Sequence, residues 1–220
     1  MTKRKLSPLS AKKSYKNQNL YYKQAYKKGG AQWSGDGSPN AMFVREIGRL
    51  KKHLKNRTAL DLGSGEGRHS IYLKRQRFKV IGVEYQEQAI KNAAGRGSKG
   101  LLYVRGDIYR IPLKRGVFGL IIDSGVFHHI RRADTAPYLD LLESLLVPEG
   151  FLLLSCFSTQ FRHADGKVYK RGFVSHQNHY DRFSTIPELR GLFGVRFDVV
   201  AIKNVKGGFI NACFRLKKRA

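Results

Sequence analysis

Short apolar runs recur along the chain from residue 58 onward, at Thr58–Leu62, Val80–Val83, Leu101–Val104, Leu120–Ile122 and Phe151–Leu154. Each is continuous rather than alternating and too short for a helix, which predicts strands buried on both faces. Helical spacing falls between them at about 67–75, 86–94 and 136–146, the last with Pro137 near its start and Leu139, Leu142, Leu145 and Leu146 behind it. Strand–helix alternation of this kind predicts a doubly wound, mostly parallel α/β sheet. The C-terminal third changes style. Phe197–Ala201 and Phe209–Phe214 read as two strands joined by Val205-Lys206-Gly207-Gly208, an antiparallel hairpin added at the sheet edge.

Upstream of this alternation, Met42, Phe43, Ile47, Leu50 and Leu54 recur at three- and four-residue steps. They predict a helix with Ser38 as its cap and Pro39 as its first residue. Residues 1–30 hold nine Lys/Arg and no acid. Residues 1–14 are expected to form a basic disordered arm, and residues 15–57 a flap and helix in which Tyr15, Tyr21, Tyr22 and Tyr26 interleave with lysines. Residues 58–220 then make the main domain.

Charge adds a partner class. Forty-two Lys/Arg against 16 Asp/Glu give a formal net charge of +26 and a pI near 10.3. Such a field favours polyanions, nucleic acid before an anionic membrane surface, the alternative being a plain solubility trait. No apolar run approaches the roughly 20 residues of a spanning helix, so no membrane insertion is expected. The basic N-terminus lacks the apolar core of a secretory signal. Cys156 and Cys213 support neither a disulfide framework nor a zinc knuckle. A reducing, cytoplasmic setting and no metal site are expected.

The strongest local signal is Ala59-Leu60-Asp61-Leu62-Gly63-Ser64-Gly65-Glu66-Gly67, a buried strand running into a glycine-rich turn and then a helix. Glycines there let the backbone turn tightly and approach a ligand where a Cβ would collide. In an open parallel sheet, ligands sit outside the carboxyl ends of the strands, where this turn falls. A dinucleotide fingerprint needs a small residue at the position of Arg68, and no P-loop lysine is present. Glu84 lies 21 residues beyond Gly63 at the end of its strand, where a carboxylate can accept both hydroxyls of a ribose. Tyr85 offers an aromatic face for a base. Asp107 could receive an exocyclic amine, with Ile108 packing on the ring. Asp123 closes the next strand. Four acids therefore mark the ends of four consecutive strands in a chain where acids are scarce.

In these motifs the sequence resembles the class I S-adenosylmethionine-dependent methyltransferases, from about Tyr21 to Arg219. The resemblance implies a seven-stranded Rossmann-like sheet and S-adenosyl-L-methionine as cofactor. It implies that Asp61, Gly63, Ser64, Gly65 and Gly67 stand beside the methionine portion, Glu84 at the ribose and Asp107 at the adenine. The stretch from Gln32 to Pro39 is loosely similar to the tellurite- and thiopurine-type small-molecule subgroup. One departure is Gly119, where relatives usually place Asp.

The acceptor is less legible. His128 and His129, just past the fourth strand, are candidates for a base or an acceptor contact, against a reading as packed or lining residues. The Asn/Asp-Pro-Pro-Tyr/Phe tetrapeptide of base-amine methylation is replaced by Asp123-Ser124-Gly125-Val126. Ser155-Cys156 echoes the nucleophilic step of RNA cytosine enzymes, but no Pro-Cys accompanies it, so Cys156 reads as a strand residue and Cys213 as core. His176 and His179 lack the partners of a metal shell. Lys167, Lys170, Arg171 and Arg182, with Tyr169 and Tyr180, read either as a nucleic-acid-facing wall or as a solvated loop. Three functions remain open: methyl transfer to an O or N atom of RNA, transfer to a small molecule, and non-catalytic nucleic-acid binding on a methyltransferase fold.

Overall fold

Nine strands run along the described residues: β1 (Thr58–Leu62), β2 (Lys79–Glu84), β3 (Leu102–Arg105), β4 (Phe118–Ser124), β5 (Leu146–Phe157), β6 (Phe173–Val174), β7 (Tyr180–Asp181), β8 (Phe197–Val205) and β9 (Phe209–Leu216). Seven form one sheet in the order β3-β2-β1-β4-β5-β9-β8, and β6 and β7 make a separate antiparallel pair. The structure, a computed structural model, describes residues 8–27, 36–54, 56–96, 100–162, 166, 168, 173–174 and 180–218, with only the backbone of 8–14 and 173–174. Strands β1 to β5 pair in parallel, and β9 inserts antiparallel between β5 and β8. The expected hairpin is present, its turn carried by Gly207 and Gly208 at φ +87° and +77°.

Alternate side chains of the central strands go to opposite faces, as the pleat requires. Leu60, Leu62, Ile121, Leu152 and Leu154 pack on one face with the helices α5 and α6 described below. Ala59, Leu120, Ile122 and Leu153 pack on the other with residues of α2 and α3. The helices are α1 (Pro8–Lys27), α2 (Ala41–Leu50), α3 (Arg68–Arg75), α4 (Glu87–Gly95), α5 (Thr135–Leu145) and α6 (Ile186–Gly194). No helix among the described residues is long and apolar enough to cross a membrane.

Two details depart from the sequence expectations. α1 reaches back to Pro8, so residues 8–14 are helical where an arm was expected; a proline is tolerated in a first helical turn. Residues 1–7 lie outside the described residues. The cap of α2 is Asn40 rather than Ser38, because its Oδ1 accepts from Met42 N at 2.9 Å and Phe43 N at 3.4 Å. Gly119 has a local cause: a Cβ there would lie 2.0 Å from the Asn56 carbonyl oxygen. Asn56 occupies that space to tie two strand starts together, donating to Val117 O at 2.9 Å and accepting from Thr58 N at 2.7 Å.

The order β3-β2-β1-β4 reverses direction between β1 and β4. A crevice opens outside the carboxyl ends of the strands at such a switch point.

Candidate active site

The turn after β1 forms the floor of that crevice. Gly63, Gly65 and Gly67 take left-handed φ values of +62°, +54° and +80°. Contact also demands glycine: a Cβ on Gly63 would sit 2.4 Å from a Val126 methyl, and one on Gly67 2.2 Å from the Tyr103 hydroxyl. Glu84 holds the turn from β2, its two carboxylate oxygens accepting from Gly65 N at 2.9 Å and Gln86 N at 2.8 Å. Burial still pushes this carboxyl above its usual range.

A cavity of about 1170 Å³ lies over the turn. One wall is an aromatic stack, with His128 on Phe157 at 3.6 Å between ring centres and Phe157 on Phe161 at 3.9 Å. Helix α1 crosses the cavity and is fastened on both sides. Tyr15 donates to Asp134 Oδ2 at 2.6 Å and accepts from Arg131 N at 3.1 Å. The Tyr22 hydroxyl meets His129 Nε2 at 2.5 Å, and Gln86 donates to the Asn19 carbonyl at 2.8 Å. Gln18 Oε1, Ser64 Oγ and Asn211 Oδ1 line the cavity from α1, the glycine turn and β9. All three are buried with no hydrogen-bond partner among the described residues. Buried polar atoms are rarely left unpaired, so three converging on one space fit a polar ligand.

Of the residues singled out from sequence, Gly63, Ser64, Gly65, Glu84, Tyr85, Asp107, Ile108, His128 and His129 line the cavity. Asp61, Gly67 and Asp123 do not. Asp61 lies buried beneath the turn, accepting from Ser70 Oγ at 2.6 Å, with its carboxyl pushed up to about 7 chiefly by burial. Gly67 caps α3. Asp123 is an internal brace: its Oδ1 takes the backbone N–H groups of Gly125, Val126 and Phe127, and its Oδ2 the Tyr138 hydroxyl at 2.5 Å. A carboxylate so occupied shapes the loop rather than meeting a ligand.

The basic wall needs a further correction. Arg182 is not on an outer face: it is 1% exposed, donates to Thr135 Oγ1 at 2.8 Å and Glu188 Oε1 at 3.0 Å, and lies 4.6 Å over the Phe127 ring. His163, Lys167, Tyr169, Lys170, Arg171, His176 and His179 lie outside the described residues. Both cysteines are buried and unpaired, with the Cys213 thiol pushed up to about 12. Gln18, Asp181 and Asn211 were not foreseen, since single polar residues in a helix or strand carry no local signal. The aromatic wall had one, in Phe157 and Phe209 at strand ends.

Residues 60–154 match the family described as the methyltransferase domain. That segment is a methyltransferase domain, and the chain has the fold of the class I S-adenosylmethionine-dependent methyltransferases. An uncharacterized methyltransferase of Schizosaccharomyces pombe is 28% identical over 120 residues, covering 53% of this methyltransferase and 79% of the relative. An uncharacterized protein of Haemophilus influenzae is 32% identical over 114 residues, 48% of this chain and 44% of that one. The Burkholderia thailandensis 1,6-didemethyltoxoflavin N1-methyltransferase superposes with a TM-score of 0.75 at 21% identity, covering 99% of this chain and 94% of that one. The glycopeptide N-methyltransferase MtfA gives 0.60 at 17% identity, over 82% and 95%. At such identities the likeness to solved structures speaks for the fold. The Burkholderia structure holds S-adenosylhomocysteine and the MtfA structure S-adenosylmethionine.

Proposed function

We propose that this methyltransferase acts on an oxygen or nitrogen of a small acceptor with flat, apolar faces, bound between the glycine turn and the aromatic wall beneath α1. The observation that carries this reading is the covered cavity. At about 1170 Å³ it exceeds the roughly 300–1,000 Å³ usual for one small ligand, leaving room for a cofactor and a second molecule. A structured polyanion would have to displace α1 and break its Tyr15 and Tyr22 contacts. The Burkholderia neighbour, named for N1-methylation of 1,6-didemethyltoxoflavin, accords with a small acceptor.

In this reading Gly63, Ser64 and Gly65 lie along the methionine portion, and Ser64 Oγ and Gln18 Oε1 accept from its ammonium. Each Glu84 oxygen uses one lone pair on a backbone N–H and keeps another for a ribose hydroxyl. Tyr85 and Ile108 flank the base and Asp107 accepts its amine. When bound, the cofactor supplies an electrophilic methyl carried on sulfur. The chain contributes alignment of the acceptor and exclusion of water, which together are worth several kcal/mol of barrier. A cytoplasmic setting belongs to the same proposal.

The charge supports a second reading, an RNA acceptor: Lys16, Lys23 and Lys27 stand exposed on α1 within a chain of net charge +26. Tritium-labelled S-adenosylmethionine, offered with total cellular RNA in one tube and a small-metabolite extract in another, separates the two. Label in the extract is expected. Label confined to RNA, falling steeply with added salt, would overturn the small-acceptor reading.

A further inference from the structure

We infer that Tyr22, His129 and Asp181 form a proton relay at the acceptor end of the cavity, so that the acceptor is a small molecule bearing an ionisable O–H or N–H. This rests on the small-acceptor reading above. His129 Nδ1 faces two acceptor oxygens, the Tyr180 carbonyl at 3.2 Å and Asp181 Oδ1 at 3.0 Å. The hydrogen bond runs to the Tyr180 carbonyl, which can only accept, so Nδ1 carries the ring proton, with the Asp181 oxygen beside it as a charge contact. Nε2 is left with its lone pair, and the Tyr22 hydroxyl donates to it at 2.5 Å. The register of the three groups is fixed by backbone as well: Arg182 N donates to His128 O at 2.6 Å, joining the ends of the two segments that carry Asp181 and His129. Tyr22 and His129 both line the cavity, as does Asp181.

Two further features separate this group from ordinary packing. Asp181 is 2% exposed and its Oδ1 stands 3.0 Å from His129 Nδ1, so the pair faces the cavity with water held away from the carboxyl. Burial holds the Tyr22 hydroxyl well above its usual range, so it is no standing phenolate and passes a proton only as it receives one. Among the groups around His129 are His128, with ring centres 4.3 Å apart, Tyr22 from α1, Phe157 from β5 and Asp181 from β7.

The proton and electron balance is closed. The acceptor X–H bond breaks and its proton goes to the Tyr22 oxygen, while the Tyr22 proton goes to His129 Nε2. The electron pair left on X forms the bond to the methyl carbon, and the pair of the broken carbon–sulfur bond stays on sulfur. His129 ends as imidazolium beside Asp181 and releases its proton to solvent. Tyr22 touches the acceptor and is a catalytic residue. His129 and Asp181 act through it.

The test uses the full chain, labelled S-adenosylmethionine, and two probe series of graded acidity: substituted phenols from 4-nitrophenol to 4-methoxyphenol, and fused-ring N–H heterocycles. Tyr22→Phe and His129→Gln are expected to lower kcat about 10²- to 10⁴-fold for probes protonated at the assay pH. For probes already ionised they should leave kcat within a few-fold, and Asp181→Asn should follow the same dependence with KM unchanged. An equal loss for both kinds of probe marks a merely structural role and overturns the relay. No label on any probe with the native protein overturns the acceptor class. Independently of any acceptor, nitrogen-15 NMR of the His129 imidazole in the native protein should show the Nδ1–H tautomer, and an Nε2–H tautomer overturns the relay. Label found only in RNA would overturn the small-acceptor reading, while the tautomer measurement would still judge the relay by itself.

Discussion

Removing the Glu84 side chain should separate its two roles. In Glu84→Ala the Gly65 and Gln86 amides lose acceptors that stand 2.9 and 2.8 Å away. A hydrogen bond to a charged group contributes about 1.5–3 kcal/mol, so the gross loss is about 3–6 kcal/mol. Part of it is offset, because burial already disfavours this carboxylate in the folded protein. A stability loss of about 2 kcal/mol is therefore expected from urea unfolding without cofactor. Two ribose hydroxyls on the same carboxylate would contribute a further 3–6 kcal/mol by the same rule, about a hundredfold or more in affinity. Calorimetric titration with S-adenosylhomocysteine measures that term. Glu84→Gln keeps the bulk but aims an amide N–H at one of two backbone donors, so it should fall between. If Glu84→Ala loses stability yet binds within threefold of the native protein, Glu84 is a brace for the turn and its ribose role is refuted.

Gly119→Ala drives a methyl to 2.0 Å from the Asn56 carbonyl oxygen, backbone that cannot swing aside, and should lower stability by about 1–3 kcal/mol in urea unfolding; an unchanged midpoint would refute the close approach. Asp61, with its carboxyl pushed up to about 7, holds its proton in the folded chain where the unfolded chain releases it near pH 4. Its contribution is thus fully present below about pH 4 and lost as pH rises through about 7, by on the order of 4 kcal/mol at most. Asp61→Asn should flatten the stability profile across that window, and a profile of unchanged slope would refute the assignment. Glu188→Ala leaves the buried Arg182 guanidinium without its carboxylate and should lower stability by about 3–5 kcal/mol. Replacing both partners by apolar residues should recover most of that loss in the same unfolding measurement.

The sheet was legible because its cause is local. A strand buried on both faces must be apolar throughout, and Thr58–Leu62 or Phe151–Leu154 announce that condition within a few residues. The glycine turn was legible for a similar reason, since left-handed φ and close approach leave few residue types at Gly63 and Gly65. Acids at strand ends were visible too, but their roles were not. Glu84 faces the cavity, whereas Asp61 and Asp123 are turned inward onto Ser70 and Tyr138. Which way a strand-end carboxylate points depends on the donors that the fold brings against it. Arg182 makes the same point for charge: a cation in a basic stretch reads as surface until a carboxylate and an aromatic ring close around it. The Tyr22–His129 contact joins residues 107 positions apart, and no local pattern carries such a pair. Periodicity and backbone chemistry wrote the scaffold into the chain. Desolvation and pairing are long-range properties, and only the tertiary structure decided which polar groups were left facing the site.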